Sequence, residues 1–215
     1  MSELQFKQQI VIIDTGCANI SSVKFAIERL GVSVTVSDVP SIIQAADKVL
    51  LPGVGAASAA MTSIKQKELV ETIQQLKQPV LGICLGMQLM AQLSEETPGS
   101  HIKENRVNSV PCLDLIPTDI VRMEAGQEVL PHMGWNQITL NKENPLFKGI
   151  NDGTYFYFVH SFCAPISEYT LASCQYGQAF SASINKGNFF GVQFHPERSG
   201  AAGSQLLKNF IELTL

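Results

Sequence analysis

Apolar residues in the first half of the chain switch between short runs and helical spacing. Four segments predict strands, which are 10–13, 32–36, 48–51 (stopped by Pro52 and Gly53) and 79–83. Three segments with helical spacing predict helices, which cover about 21–30 (with Ser21 and Ser22 as caps), 61–76 and 85–93. This β-α alternation predicts a doubly wound, mostly parallel sheet that binds ligands at the carboxyl ends of its strands.

The second half has a different pattern. Prolines and polar residues over 94–118 predict a long surface excursion, after which an aromatic strand is expected at 155–159. Two apolar strands at 179–184 and 189–194 flank the turn-like residues 185–188, which predicts a hairpin. A helix over about 201–213 places Leu206, Leu207, Phe210 and Ile211 on one face. We therefore expect one α/β domain over 1–215, with a mixed, mostly parallel sheet and an antiparallel hairpin extension.

Composition favours a compact, enzyme-like fold whose partners are small molecules or proteins. Of the 215 residues, 45% are hydrophobic and 16% are charged, and the formal net charge is −4. A negative chain gives no electrostatic footprint for nucleic acid or an anionic membrane. No apolar run approaches the ~20 residues that span a bilayer, and residues 1–9 do not resemble a secretory signal. We expect a cytoplasmic protein.

The cysteines and histidines predict neither a disulfide framework nor a metal site. Five cysteines are scattered without a C-x-x-C pair, at Cys17, Cys84, Cys112, Cys163 and Cys174. Four histidines, His101, His132, His160 and His195, lie in separate segments without metal-ligand spacing. We expect four of the cysteines to be buried core thiols, and we predict no cofactor and no metal.

Cys84 is the candidate nucleophile. The stretch Gly82-Ile83-Cys84-Leu85-Gly86 has the G-x-nucleophile-x-G form between a predicted strand and a predicted helix. In such an elbow the glycines allow tight packing, the following helix favours a thiolate, and the amide of Leu85 can face an oxyanion. The pentapeptide alone is equally consistent with a core thiol at the end of a strand.

His195 is the candidate base for this thiol, and Glu197 is its candidate orienter. His195 follows a predicted strand, and Pro196 disfavours helical backbone at the residue before it. An extended segment would place the side chains of residues 195 and 197 on the same side, where the carboxylate could stabilise the imidazolium. Without Cys84, a strand-end histidine beside a surface glutamate would be the simpler interpretation. His101 lies in the polar excursion and is expected to be solvated.

Three ordered motifs, 52–55, 82–88 and 193–197, resemble the triad (class I) glutamine amidotransferases. The resemblance implies that Cys84 attacks the side-chain amide of glutamine, that His195 transfers protons, and that a glutamyl thioester is hydrolysed to glutamate. Two further segments, 131–136 and 157–162, with Asn19, resemble the glutaminase subunits of imidazole glycerol phosphate synthases. In that family the ammonia passes to a (β/α)8-barrel cyclase subunit in histidine biosynthesis.

The resemblance also implies roles for residues around the triad. It implies oxyanion amides from Val54, Gly55 and Leu85, substrate contacts from Gly53, Gln88 and Ser161, and a partner-facing surface with Asn19, Ser22 and Trp135. Alternatives stay open, because Trp135 could be a core residue and Asn19 could cap the first helix. Residues 17–18 and 113–118 depart from the family's glycine pattern, which puts the conformation of those loops in question.

Three other functions remain consistent with the sequence. The chain could be the glutaminase of an anthranilate or GMP synthase, which would differ at segment 131–136. It could be a free-standing cysteine hydrolase of γ-glutamyl compounds, which would need no cyclase. It could also be a catalytically silent regulatory module, which would release no glutamate from glutamine.

Overall fold

The computed structural model describes residues 8–16, 19–96 and 109–214. The strands are β1 Ile10–Ile13, β2 Val34–Ser37, β3 Lys48–Gly53, β4 Val80–Cys84, β5 Leu93–Ser94, β6 Val110–Pro111, β7 Asp119–Arg122, β8 His132–Leu140, β9 Tyr155–His160, β10 Phe162–Cys163, β11 Thr170–Tyr176, β12 Gln178–Lys186 and β13 Phe189–Val192. The helices are α1 Ile20–Glu28, α2 Pro40–Gln44, α3 Ala57–Gln66, α4 Val70–Gln74, α5 Leu85–Gln88 and α6 Gly200–Glu212. Short 3-10 helices cover Pro145–Phe147 and Pro196–Arg198.

A central sheet organises the part of the chain that the structure describes. Its nine strands follow the order β2-β1-β3-β4-β13-β12-β11-β8-β9. The neighbours from β2 to β13 are parallel, and those from β13 to β9 are antiparallel. The predicted hairpin is the β12/β13 pair, which joins the two halves. The α/β class with a mixed sheet is therefore confirmed.

Helices cover both faces of the parallel half, which explains its continuous apolar runs. Alternate residues of β1 point to opposite faces, so Ile10 and Ile12 belong to one buried cluster while Val11 and Ile13 belong to the other. The first cluster includes residues of α1 and α6, and the second includes residues of α3 and α4. None of the helices in the described ranges has the length and apolar character needed to cross a membrane.

The predicted surface excursion is largely a packed segment where the structure describes it. Leu113 and Ile116 are fully buried, and the amide of Leu113 donates to the carbonyl of Leu89. Strands β5, β6, β7 and β10 form a second, small sheet around it. The prediction was wrong for 109–118, because the apolar residues between its prolines bury themselves against α5 and the turn that follows. Residues 97–108, with His101, lie outside the described ranges.

Three helix predictions need correction. The segment 61–76 contains two helices, α3 and α4, which are separated at Glu68, a residue with φ 55°. The predicted helix over 85–93 ends at Gln88. Ser21 and Ser22 lie inside α1, whose N-cap position is Asn19, and that residue makes no side-chain capping bond. Helix α2 was not predicted.

Strand order brings the three sequence motifs together at one edge. β4 lies between β3 and β13, both strands are parallel to it, and Gly53 at the end of β3 pairs with Cys84 at the end of β4. The carboxyl ends of all three strands therefore open on the same side.

Candidate active site

Cys84 occupies a strained turn between β4 and α5. Its backbone has φ 53° and ψ −111°, a conformation that costs a residue with a side chain roughly 1–3 kcal/mol. Glycines make room for this turn, because a Cβ atom at Gly86 would lie 1.7 Å from the carbonyl oxygen of Leu51 and one at Gly82 would lie 2.7 Å from the amide nitrogen of Met87. The predicted elbow conformation is therefore present.

His195 and Glu197 stand beside this elbow. The amide of His195 donates to the carbonyl of Tyr157 at 2.8 Å, which anchors the backbone after β13 to strand β9. The imidazole interacts with Cys84, and its Nδ1 lies 2.9 Å from Oε1 of Glu197. The expected pairing forms, although residues 196–198 make a 3-10 turn where an extended backbone was predicted. The side chain of Glu197 is 3% exposed, and its Oε2 has no hydrogen-bond partner among the described residues.

Electrostatics favour a charged imidazole next to the sulfur. Burial alone would lower the pKa of His195, but hydrogen bonds to Cys84 and Glu197, together with the charges of both groups, raise it to about 10. An imidazolium beside Cys84 stabilises the thiolate, which is the nucleophilic form of cysteine. Because α5 is only four residues long, the predicted contribution of a helix dipole is small compared with this pair.

The sulfur faces a cavity of about 550 Å³. The Sγ atom lies 3.8 Å from the carbonyl oxygen of Val159 and 3.8 Å from Nε2 of the fully buried Gln193. The polar residues that line the cavity include Asn19, Gln88, Glu96, Arg122, Ser161 and Arg198. The arrangement can bind a small polar molecule that carries charged groups and present one of its carbonyl carbons to the thiolate.

A family model described as glutamine amidotransferase class-I matches residues 11–213. The chain belongs to the class-I glutamine amidotransferases. The prediction of a glutamine-hydrolysing enzyme of this family is therefore confirmed.

Two similar proteins are subunits of imidazole glycerol phosphate synthases. The imidazole glycerol phosphate synthase subunit HisH of Colwellia psychrerythraea is 58% identical over 207 residues, which cover 94% of this chain and 92% of that protein. The subunit HisH of Photobacterium profundum is 57% identical over 210 residues, which cover 96% and 98%. Identity of this degree over nearly the whole length confirms the resemblance to these subunits.

Solved structures share the fold at low sequence identity. A putative GMP synthase protein from Thermoplasma acidophilum superposes with a TM-score of 0.70 at 17% identity, covering 96% of this chain and 93% of its own. PurLQS from Thermotoga maritima gives a TM-score of 0.71 at 15% identity, covering 96% and 98%.

The amidotransferase brings most of the other predicted residues to the cavity. Val54, Gly55, Leu85, Gln88 and Ser161 all line it. Gly55 has φ +90°, and Val54 is 40% exposed. Gly53 instead packs against the elbow, since a Cβ atom there would lie 3.0 Å from the amide nitrogen of Gly86.

The three residues predicted to face a partner lie in different environments. Asn19 is exposed and lines the cavity, while Ser22 is half-buried within α1. Trp135 is 55% exposed on β8, with its ring centroid 6.1 Å from that of Tyr157. The alternative of a core Trp135 is wrong.

Sequence reasoning missed Glu96 and Gln193. Glu96 lines the cavity, where burial raises the pKa of its carboxyl, and its Oε2 accepts a hydrogen bond from the amide of Ala57 at 3.0 Å. It was hidden in the predicted surface excursion. Gln193 lies two residues before His195, and that spacing in an extended segment was the available indication of a shared side.

Cys163 and Cys174 are buried core thiols as expected, whereas Cys112 is only partly buried. Burial raises the pKa of Cys112 to about 12, of Cys163 to about 11 and of Cys174 to about 12, so these groups are protonated and unreactive at neutral pH. Cys17 lies outside the described residues. Within the described ranges, no group of three or more His, Cys, Asp or Glu side chains could hold a metal ion.

His132 and His160 form a buried pair that the sequence did not indicate. They face each other across β8 and β9, and Nδ1 of His132 lies 3.1 Å from Nε2 of His160. Burial lowers the pKa of His132 to about 4. Burial also dominates at His160, and with the charges of His132 and His195 it outweighs a hydrogen bond to Phe162 and lowers the pKa to about 3. Both rings are neutral.

Proposed function

We propose that Cys84, His195 and Glu197 form the catalytic triad of a glutaminase that releases ammonia from L-glutamine. The observation that carries this proposal is the elbow thiol at positive φ with an imidazolium held against it by a buried carboxylate. A nucleophile, its base and the orienter of that base are the groups that acyl transfer requires.

In the first half of the reaction, the Cys84 thiolate forms a bond to the amide carbon of glutamine. The carbonyl oxygen becomes an oxyanion, which the backbone amides of Leu85 and of the Val54–Gly55 loop stabilise. When the intermediate collapses, the carbon–nitrogen bond breaks, His195 donates its proton to the leaving nitrogen, and ammonia departs. A glutamyl thioester remains on Cys84.

In the second half, His195 acts as a general base. It takes a proton from water as the water oxygen attacks the thioester carbon, and a second oxyanion forms at the same amides. Collapse breaks the carbon–sulfur bond, which releases glutamate and restores the thiolate and imidazolium pair. Glu197 stabilises the charged ring and fixes its orientation throughout the cycle.

The polar residues that line the cavity recognise the substrate. We assign Gln88, Ser161 and the backbone around Gly53 to the amino-acid end of glutamine. Glu96 joins them, because a carboxylate in the cavity wall complements an α-ammonium group.

We further propose that the chain is one glutaminase domain over 1–215, located in the cytoplasm, and that it supplies ammonia to a (β/α)8-barrel cyclase subunit. The similarity to HisH subunits supports this partner. Asn19, Ser22 and Trp135 are assigned to the interface, and exposed apolar side chains at Met133, Trp135 and Tyr155 support a docking surface on β8 and β9.

The test is a glutaminase assay with and without the cyclase partner and its nucleotide ligand. We expect glutamate release that the partner stimulates strongly, and we expect Cys84→Ala to abolish it while thermal unfolding and cyclase binding stay intact. If Cys84→Ala still released glutamate at the normal rate, the triad would be wrong. If the chain did not bind the cyclase, the partner would be wrong while the glutaminase activity could still be measured directly.

A further inference from the structure

A series of hydrogen bonds runs from Asn136 on β8 to the cavity. It includes His132 and His160, which the proposed mechanism does not use. Nδ2 of Asn136 lies 3.3 Å from Nε2 of His132, and Nδ1 of His132 lies 3.1 Å from Nε2 of His160. Nδ1 of His160 then lies 2.9 Å from the carbonyl oxygen of Phe162. Both histidines are buried, with exposures of 3% and 6%.

The Phe162 carbonyl fixes the direction of every hydrogen bond in this series. A carbonyl only accepts, so the proton of neutral His160 must be on Nδ1, which leaves Nε2 as an acceptor. His132 therefore donates to it from Nδ1, and the Nε2 of His132 accepts from Asn136. Burial keeps both rings neutral, as their low pKa values indicate. Both histidines are thus Nδ1–H tautomers.

The same carbonyl also orients Gln88. Nε2 of Gln88 donates to the Phe162 oxygen at 2.9 Å and to Oε1 of Gln193 at 3.0 Å, which uses both amide hydrogens. The Oε1 atom of Gln88 meets no donor among the described residues, and Gln88 lines the cavity. The side chain consequently offers its ligand an acceptor and no donor.

We propose that His160 is a positioning residue for the glutamine site, holding the Phe162 carbonyl that in turn fixes the Gln88 amide with its oxygen available to the substrate. His132 donates to Nε2 of His160 and so reinforces the tautomer that the Phe162 carbonyl selects. The inference rests on the proposed function, in which Gln88 contacts the amino-acid end of glutamine. A fixed acceptor at that place suits the α-ammonium group, which only donates.

Two substitutions at the same position separate the two hydrogen bonds of His160. The amide of asparagine reaches about as far as Nδ1, so His160→Asn can still donate to Phe162. The amide of glutamine reaches about as far as Nε2, so His160→Gln can meet only His132. Both variants remove the ring and its aromatic contacts, so a merely structural role would affect them alike.

Steady-state glutamine hydrolysis, measured with the cyclase partner, tests the proposal. We expect His160→Gln to raise KM for glutamine about tenfold with kcat within about twofold of wild type, because an oriented hydrogen bond to a charged group is lost. We expect His160→Asn to keep KM within about threefold of wild type. Equal KM values for the two variants, or a loss confined to kcat, would overturn the inference.

The wild-type protein supplies a measurement that does not depend on a variant folding. Nitrogen-15 NMR of the ring nitrogens should show His132 and His160 both protonated at Nδ1 and both neutral at pH 7. A proton on Nε2 of either ring overturns the inference. Failure of the proposed function is distinct, since it would appear as a wild-type protein that releases no glutamate, whatever the tautomers.

Discussion

The charge on one imidazole determines what Cys84 can do. His195 is enclosed by protein, which disfavours its cationic form, yet two neighbours with negative charge reverse that preference. The thiol and the carboxylate therefore have different roles: the thiol reacts, and the carboxylate keeps a proton on the ring of His195. Removal of either neighbour should lower the pKa of His195, because burial disfavours the charged ring.

We predict that the pKa of His195 falls in two variants by different amounts. NMR titration should place it near 10 in wild type, lower in Glu197→Gln, and lowest in Cys84→Ala, because the glutamine variant keeps a hydrogen-bond acceptor for Nδ1 whereas the alanine variant loses both the charge and the acceptor of Cys84. An unchanged pKa in Cys84→Ala would contradict the pairing.

The raised pKa of His195 also makes the free energy of unfolding depend on pH. The folded pKa of about 10 lies above the ordinary value of 6.5, so protonated His195 stabilises the fold. This contribution is complete below pH 6.5 and is lost as the pH rises towards 10. In Cys84→Ala the loss should be complete at lower pH.

At the residue scale, local sequence was enough for His195 and Glu197, since only one residue separates them. It was not enough for His132 and His160, because their contact depends on the register between β8 and β9, which no short pattern encodes. Glu96 was missed for a different reason, because it reaches the cavity from a segment with no regular pattern.

Among the elements, helix α5 approaches the backbone of strand β3 closely. The carbonyl of Leu51 lies where a Cβ atom of residue 86 would stand, so the helix touches the strand backbone directly. This contact determines where the chain turns after Cys84, and hence where the sulfur and the amide of Leu85 point. The lack of a side chain at Gly86 is thus needed for the geometry of the active site as well as for the fold.

We predict that Gly86→Ala lowers the free energy of unfolding by about 3 kcal/mol, the upper range for forcing extra volume into a packed core. It should also reduce glutamine hydrolysis, because the elbow must shift. Gly187→Ala is the matched control: it has open space but φ +58°, so it should cost only about 1 kcal/mol and leave activity unchanged. Urea unfolding measures both. Equal losses would mean that the α5 contact is not the cause.

Element prediction succeeded where apolar runs are continuous and failed at the break between α3 and α4, which contains no glycine or proline. The runs at β1, β3 and β4 are buried on both faces, so their pattern was clear. The break between α3 and α4 occurs at Glu68, a residue type that rarely adopts positive φ and gives no warning. Tertiary packing of Leu69 and Ile73, both fully buried, outweighs the continuous helical spacing.

At the scale of the whole molecule, the central sheet carries two functional regions. The polar cavity lies beside Cys84, and exposed apolar side chains lie on β8 and β9. Met133 and Trp135 on β8 lie opposite Val159 and Tyr157 on β9, so these side chains share a face. The carbonyl oxygen of Val159 lies 3.8 Å from Sγ of Cys84, so strand β9 reaches the cavity. A partner docked there would lie next to the place where ammonia is released.

We predict that Trp135→Ala weakens binding of the cyclase about 10- to 30-fold, as expected for a central aromatic anchor. The free variant should unfold at the wild-type temperature, because the side chain is 55% exposed. Val36→Ala is the control, since Val36 is 38% exposed on β2 at the other edge of the sheet. Calorimetric titration measures both affinities. An unchanged affinity in Trp135→Ala would place the interface elsewhere.

The strand order also constrains when this enzyme can become reactive during its synthesis. Gln193, which contacts the sulfur, follows Cys84 by 109 residues, and β13 can join β4 only after the strands that precede it have been made. Chains emerge from the ribosome with the N-terminal part first, and such long-range pairing is slow. The nascent chain therefore carries Cys84 without the imidazolium that activates it until late in translation.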